Sequence, residues 1–200
     1  MSLILASASP RRADLLRQAG LEFTVIKPAV DEEMPDGEEP AAMVIKLARK
    51  KALDVTGCLE HGHVLAADTI VVCGGSILGK PADGEDARRM LGLLGGNVHD
   101  VYTGLVLYDV TGGDFQTGYS RTRVWMKPLE QDYINRYVES GEPLDKAGAY
   151  GIQGRGAVFI DRIEGCYFNV VGLPLSLLFE LLIRMKVPTW LNRKDGVNGK

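Results

Sequence analysis

Residues 3–20 dictate how this chain must begin to fold. Leu3-Ile4-Leu5-Ala6 is a short, unbroken apolar run, the pattern of a buried strand. Ser7-Ala8-Ser9-Pro10 follows at once. Ser9 suits an N-cap, Pro10 the first helical position, and Gly20 a stop just beyond the helix end. A strand that turns so abruptly into a helix points to layered α/β packing. The same reading puts Arg11 and Arg12 in the first helical turn, where the helix dipole favours carboxylates over cations. Two cations there, beside serine hydroxyls and free backbone N–H groups, suit a bound anion, and a polyphosphate is the anion proposed. From this loop alone, a solvated helix start whose arginines touch nothing is an equal alternative.

Further along, hairpin signals mix with strand–helix units. An acidic, Pro/Gly-broken linker, 31–39, leads into a helix expected over 40–54, with Met43, Val44, Leu47, Ala48 and Ala52 as its apolar stripe. Residues 64–73 read as a strand, Gly74-Gly75 as a hairpin turn, and Ile77-Leu78 as the start of the return. Asp83 can cap a helix that ends before Gly95-Gly96. A long hairpin is predicted over 98–110 and 115–126, then a helix over 129–139 and a glycine-dense loop over 145–156. Two strands, 157–163 and 167–171, and a helix over 174–185 complete the reading. Residues 1–187 are expected to form a single domain, and any division of it into two lobes would fall near residues 94–98, where the long hairpin starts. Residues 188–200 are expected to form a polar tail whose start Trp190 pins. This order predicts an α/β fold with a mixed sheet.

Composition excludes some functions. With a net charge of -3 and a pI of about 5.7, the chain lacks the basic face of a broad nucleic-acid binder, so no nucleic-acid partner is expected. Cys58, Cys73 and Cys166 show no CxxC spacing and read as free thiols of a reducing, cytoplasmic protein. No signal-peptide pattern opens the chain. The apolar stretch 168–183 is interrupted by Pro174 and Glu180, so no membrane span is expected.

Three motifs carry chemistry. Gly74-Gly75-Ser76-Ile77-Leu78-Gly79-Lys80 imitates a phosphate-binding P-loop, but Pro81 supplies neither the hydroxyl nor the N–H that such a loop needs. Lys80 is left as a point charge for a phosphate or an edge-strand solubiliser. Asp68, in Leu65-Ala66-Ala67-Asp68-Thr69-Ile70-Val71-Val72, is an acid in a strand-forming run, where Asp is disfavoured. Held rigidly there, it suits a divalent metal or an oriented water, or else a local backbone bond. Thr69 points to the opposite face of a regular strand, so both are expected at one site only near a strand end or a bulge. The loop 145–154 is rich in small residues and lets backbone approach a ligand closely, or is merely a turn before the next strand. It carries Gln153 between Ile152 and Gly154. His61, His63 and His99 have no metal-ligand spacing.

Taken together, Ala6-Ser7-Ala8-Ser9-Pro10-Arg11-Arg12, Ala67-Asp68-Thr69, Gly79-Lys80-Pro81, the loop 145–154 and Asn169-Val170-Val171-Gly172-Leu173-Pro174 resemble the Maf family of nucleoside triphosphate pyrophosphatases. The resemblance implies an elongated mixed β-sheet flanked by helices, inosine-triphosphatase-like, with a central cleft. It implies a cytoplasmic homodimer that hydrolyses a nucleoside triphosphate to the monophosphate and pyrophosphate with a divalent metal, Mg2+ or Mn2+. By motif, Asp68 and Glu32 match the catalytic, metal-holding carboxylates. Lys51 and Lys80 match catalytic cations, and Ser7 and Arg12 match substrate-binding positions. Arg11, Thr69 and Gln153 match positions that separate substrate subgroups, here the one acting on dTTP and UTP rather than on 7-methyl-GTP. Chemistry agrees on Gln153, whose amide can accept from the pyrimidine N–H and donate to a flanking carbonyl, whereas a carboxylate suits guanine's adjacent donors. Two other readings are a non-catalytic nucleotide-binding regulator of cell division and a pyrophosphatase with a purine or modified-purine preference.

Overall fold

The computed structural model describes residues 2–30 and 37–190. Strand β1 (Leu3–Ala6) runs into helix α1 (Pro10–Gln18), and a three-residue strand β2 (Thr24–Ile26) lies parallel to β1. Helix α2 (Pro40–Thr56) precedes β3 (His63–Cys73), which turns through Gly74-Gly75 into β4 (Ser76–Leu78). Both turn glycines have positive φ, as a tight two-residue hairpin requires. Helix α3 (Gly84–Leu94), the long hairpin β5 (Val98–Asp109) and β6 (Phe115–Met126), and helix α4 (Gln131–Glu139) follow. Strand β7 (Ile160–Glu164) and helices α5 (Tyr167–Val171) and α6 (Leu175–Arg184) close the order.

The strands form one mixed sheet in the order β2-β1-β3-β5-β6-β7, with β4 beside β3. Alternation along the central strands sends side chains into helix-covered cores on both faces. Leu5, Leu65 and Leu105 pack with α1 and α6, whereas Ala6, Ala66 and Val106 pack with Ala48 and Ala52 of α2. Farther along the sheet, Val71, Val101 and Val124 pack with α3 and α4. The expected mixed sheet flanked by helices is therefore present. Among the described residues, no helix is long and apolar enough to cross a membrane.

Local expectations fail in three places. Residues 167–171 form helix α5 instead of a strand. Gly165, at φ +127°, turns the chain off the sheet edge. The wholly buried Asn169 then ties the short helix to the sheet face through bonds from Nδ2 to Val101 O and Thr122 Oγ1, both 2.9 Å. Tertiary bonds override the β propensity of Val170 and Val171. Residues 155–159 form 3-10 turns, so β7 begins only at Ile160. Strand β2 was not anticipated. It is short and half-exposed, and only the β-branched residues of Thr24-Val25-Ile26 mark it. The expected anchor at Trp190 is present: its Nε1 donates to Ala19 O at 2.8 Å, and its ring packs edge-on against Phe179.

Candidate active site

One discontinuity in the sheet creates the cleft. Strand β5 pairs with β3 from His63 to Val72 along one edge. On the other edge β1 stops opposite Ala66, and β4 starts only opposite Val71. Among the described residues no strand thus pairs with this edge at residues 67–70, in mid-strand. Side chains from both faces reach the opening, and Asp68 and Thr69 line the same cavity of about 850 Å³. This corrects the expectation that the pair could share a site only near a strand end or a bulge.

Helix α2 supplies the counter-charge. Lys51 sits on the buried stripe that Leu47, Ala48 and Ala52 define, and its Nζ donates to Asp68 Oδ1 at 2.5 Å. Each of the two side chains is only 7% exposed. The helix lies close enough because Gly104, opposite Asp68 on β5, has no side chain to hold it off. A Cβ there would come within 2.5 Å of the Val44 carbonyl carbon.

The turn between β1 and α1 arranges its groups differently from the expected cap. Ser9 occupies the N-cap position, yet its side chain makes no capping bond. Instead Ser9 N donates to Ser7 Oγ at 3.1 Å. The two arginines diverge. Arg12 is turned to the open edge of β3, donating to Ala67 O at 2.8 Å, to Thr69 Oγ1 at 3.1 Å and to Ser7 Oγ at 3.3 Å. Its Nε reaches Gly172 O at 2.8 Å, so one guanidinium ties four segments together. Arg11 crosses to the opposite wall and pairs with Asp145 at 2.7 Å. Thr69 Oγ1 also lies 2.9 Å from Thr103 Oγ1, which donates to the main chain of Asn169.

The opposite wall is the glycine-dense segment after α4. Burial alone would raise the Asp145 carboxyl, but bonds from Lys146 and Arg11 outweigh it and hold it below the ordinary carboxylate range. Behind this wall the buried His99 Nε2 lies 2.8 Å from Tyr150 Oη. Burial holds the His99 imidazole down to about 4, so the ring is neutral at physiological pH.

Of the nine residues expected at a site, eight line this one cavity: Ser7, Arg11, Arg12, Lys51, Asp68, Thr69, Lys80 and Gln153. They come from both sides of the β1–α1 turn, from α2, from β3, from the end of β4 and from the late loop. Lys80 follows β4 beside Gly79, whose carbonyl accepts from Gly148 N at 3.0 Å. Glu32 lies outside the described residues. Among the described residues no group of three or more His, Cys, Asp and Glu side chains forms a metal cage. Sequence reasoning missed Tyr137 and Glu142, which bond the backbone beside Gln153. The only signal for Glu142 was an acid just before the glycine-dense run.

The family model described as Maf-like protein matches residues 2–185. The chain is 52% identical over 180 residues to the dTTP/UTP pyrophosphatase of Pelotomaculum thermopropionicum, covering 90% of this chain and 94% of that one. It is 50% identical over 188 residues to the dTTP/UTP pyrophosphatase of Moorella thermoacetica, covering 94% and 97%. Among solved structures, that of the Staphylococcus aureus Ham1 protein aligns with a TM-score of 0.51 at 15% identity, over 92% of this chain and all of that one, a likeness of fold alone. A family match from end to end of the folded region, with relatives identical at every second position, means that the chain belongs to the Maf family.

Proposed function

We propose that this protein hydrolyses dTTP and UTP to the monophosphate and pyrophosphate. The observation that carries the reading is the convergence on one cavity of a buried carboxylate, the cations Arg11, Arg12, Lys51 and Lys80, and an amide from segments far apart in sequence. At about 850 Å³ the cavity lies within the range of small-ligand sites. The names of the curated relatives support the choice of pyrimidine nucleotide.

In this mechanism water adds at the α-phosphorus, the bond from that phosphorus to the bridging oxygen breaks, and the β- and γ-phosphoryl groups leave together as pyrophosphate. Asp68 orients the attacking water, and Lys51 fixes the carboxylate in place. Arg12 and Lys80 offset the negative charge that builds up on the departing pyrophosphate. Gln153 reads the base edge, accepting from the ring N–H and donating to a carbonyl.

The donor set suits a hard divalent cation such as Mg2+, which takes one or two carboxylates and completes its shell with water and substrate phosphates rather than needing a protein cage. Asp68 and Glu32 would hold it. When bound, such an ion polarises the phosphoryl oxygen and makes a coordinated water more acidic.

The test is product analysis after incubation with dTTP or UTP and Mg2+ or Mn2+. Monophosphate and pyrophosphate in equal amounts are expected. Diphosphate with orthophosphate would place the attack at the γ-phosphorus and overturn the proposal. Saturable UTP binding without turnover would instead favour a regulator.

A further inference from the structure

The loop that presents Gln153 is gripped by two side chains that the mechanism above does not use. Tyr137, on α4, accepts from Gly151 N at 3.1 Å. Glu142, just beyond α4, accepts from Arg155 N at 3.0 Å through Oε2 and from Gly156 N at 3.3 Å through Oε1. Tyr137 Oη donates to the same Glu142 Oε1 at 2.9 Å. The N–H groups on either side of Ile152-Gln153-Gly154 are therefore bound to one phenol–carboxylate pair.

The fit is close. A Cβ at Gly154 would collide with the Glu142 carboxylate, and one at Gly156 would come within 2.6 Å of Tyr137 Oη. The Tyr137 ring is buried and packed edge-on against Phe159, which fixes the phenol end of the grip. Burial opposes charge on Glu142, but the bonds from Arg155 N, Tyr137 and Gly156 N, aided by Lys146, hold its carboxyl below the ordinary range. The grip also reaches the phosphate side of the cleft. Lys146 Nζ donates to Glu142 O and to Asp145 Oδ1, both at 2.6 Å, and Asp145 accepts from Arg11.

We propose that Glu142 and Tyr137 are positioning residues for base selection: they act through the backbone of residues 151–156 to set where the Gln153 amide meets the base. The inference rests on the assignment of Gln153 as base reader in the proposed function. Its physical ground is that a glycine-rich loop has many accessible conformations. A side-chain amide that discriminates donor from acceptor must be held to within about 0.5 Å of its productive place.

The experiment compares wild type with Tyr137→Phe, Glu142→Gln and Glu142→Ala. Tyr137→Phe keeps the ring packing and removes only the hydroxyl. Glu142→Gln keeps one acceptor oxygen. Two quantities are measured for each: the KM and kcat for dTTP, and the ratio of equilibrium Kd values for dTMP and dGMP. The binding ratio needs no turnover, so it tests the grip even if the wild-type protein released no pyrophosphate, an outcome that would overturn the proposed function alone. The expected result is a fall of about tenfold in the dTMP-over-dGMP preference for Tyr137→Phe and Glu142→Ala, the worth of one well-placed hydrogen bond, with Glu142→Gln in between. KM for dTTP rises in step while kcat changes little. An unchanged dTMP-over-dGMP preference in folded Tyr137→Phe and Glu142→Gln, whatever their melting temperatures, would reduce the pair to a structural brace and overturn the inference.

Discussion

Asp68 and Lys51 form the most consequential residue pair in the cleft, because both are removed from water and bond one another directly. Burying two charges is offset only when their geometry is good. The two obvious substitutions should therefore behave differently. Asp68→Asn keeps an oxygen that can accept from Lys51, so the fold is retained, while turnover falls by about 10²-fold or more if Asp68 orients the water. Steady-state kinetics beside a urea melt separates these effects, and near-normal turnover in the folded variant removes Asp68 from the mechanism. Lys51→Met removes the cation that bonds Asp68 Oδ1 and should cost about 1.5–3 kcal/mol in a urea melt, the range for a hydrogen bond between charged groups. The proposed base reader makes a third case. Gln153→Glu replaces a donor with a second acceptor, so relative kcat/KM should move from dTTP toward guanine nucleotides. Unchanged relative rates would mean that another group reads the base.

Among the elements, the spacing between α2 and the sheet decides whether Lys51 reaches Asp68. Gly104 sets that spacing, since an added methyl group would meet the Val44 and Ile45 backbone rather than a side chain that could swing away. Gly104→Ala is expected to destabilise the protein by about 1–3 kcal/mol, the usual range for overpacking, and to lower activity beyond what lost stability explains. Full activity at a temperature where the variant is folded would show that α2 can shift without disturbing the pair. Strand β3 illustrates a complementary point. The run 64–73 was legible as a strand from its β-branched residues, and Asp68 stood out within it. That no described strand pairs with its second edge between β1 and β4 was not legible, because pairing partners are set by distant segments. The helix at 167–171 was hidden for the same reason: the residues favour a strand, and the bonds of Asn169 to Val101 and Thr122 make them a helix.

For the molecule as a whole, acid and ligands should act in opposite directions. The buried His99 remains neutral in the fold until pH falls to about 4, whereas in the unfolded chain it takes up a proton near 6.5. Between those values the unfolded state binds more protons, so stability declines as pH is lowered through that window, by about 3 kcal/mol from this one group. Urea midpoints from pH 7 to pH 4 for wild type and His99→Gln check it, since the variant should lose that share of the slope. A nucleotide that binds only the folded state raises the unfolding free energy by about 2.7 kcal/mol at a concentration 100 times its Kd. Adding dTMP should therefore raise the melting temperature, and removing divalent ions with EDTA should abolish turnover without unfolding the protein.

The sequence by itself determined the chemical vocabulary of this protein. A serine–arginine turn, an acid within a β-run, a lysine after a hairpin and a glutamine among glycines are all local facts, and their types and order suffice to name the family. Local pattern also located most helices and strands, since periodicity and turn residues act over a few positions. Only the tertiary structure decided how those groups face one another. It opened the middle of β3, turned Arg12 inward and Arg11 across the cleft, and set Tyr137 and Glu142 behind the glutamine loop. Each of these depends on contacts between residues more than ten positions apart, and no stretch of chain carries the identity of its distant neighbours.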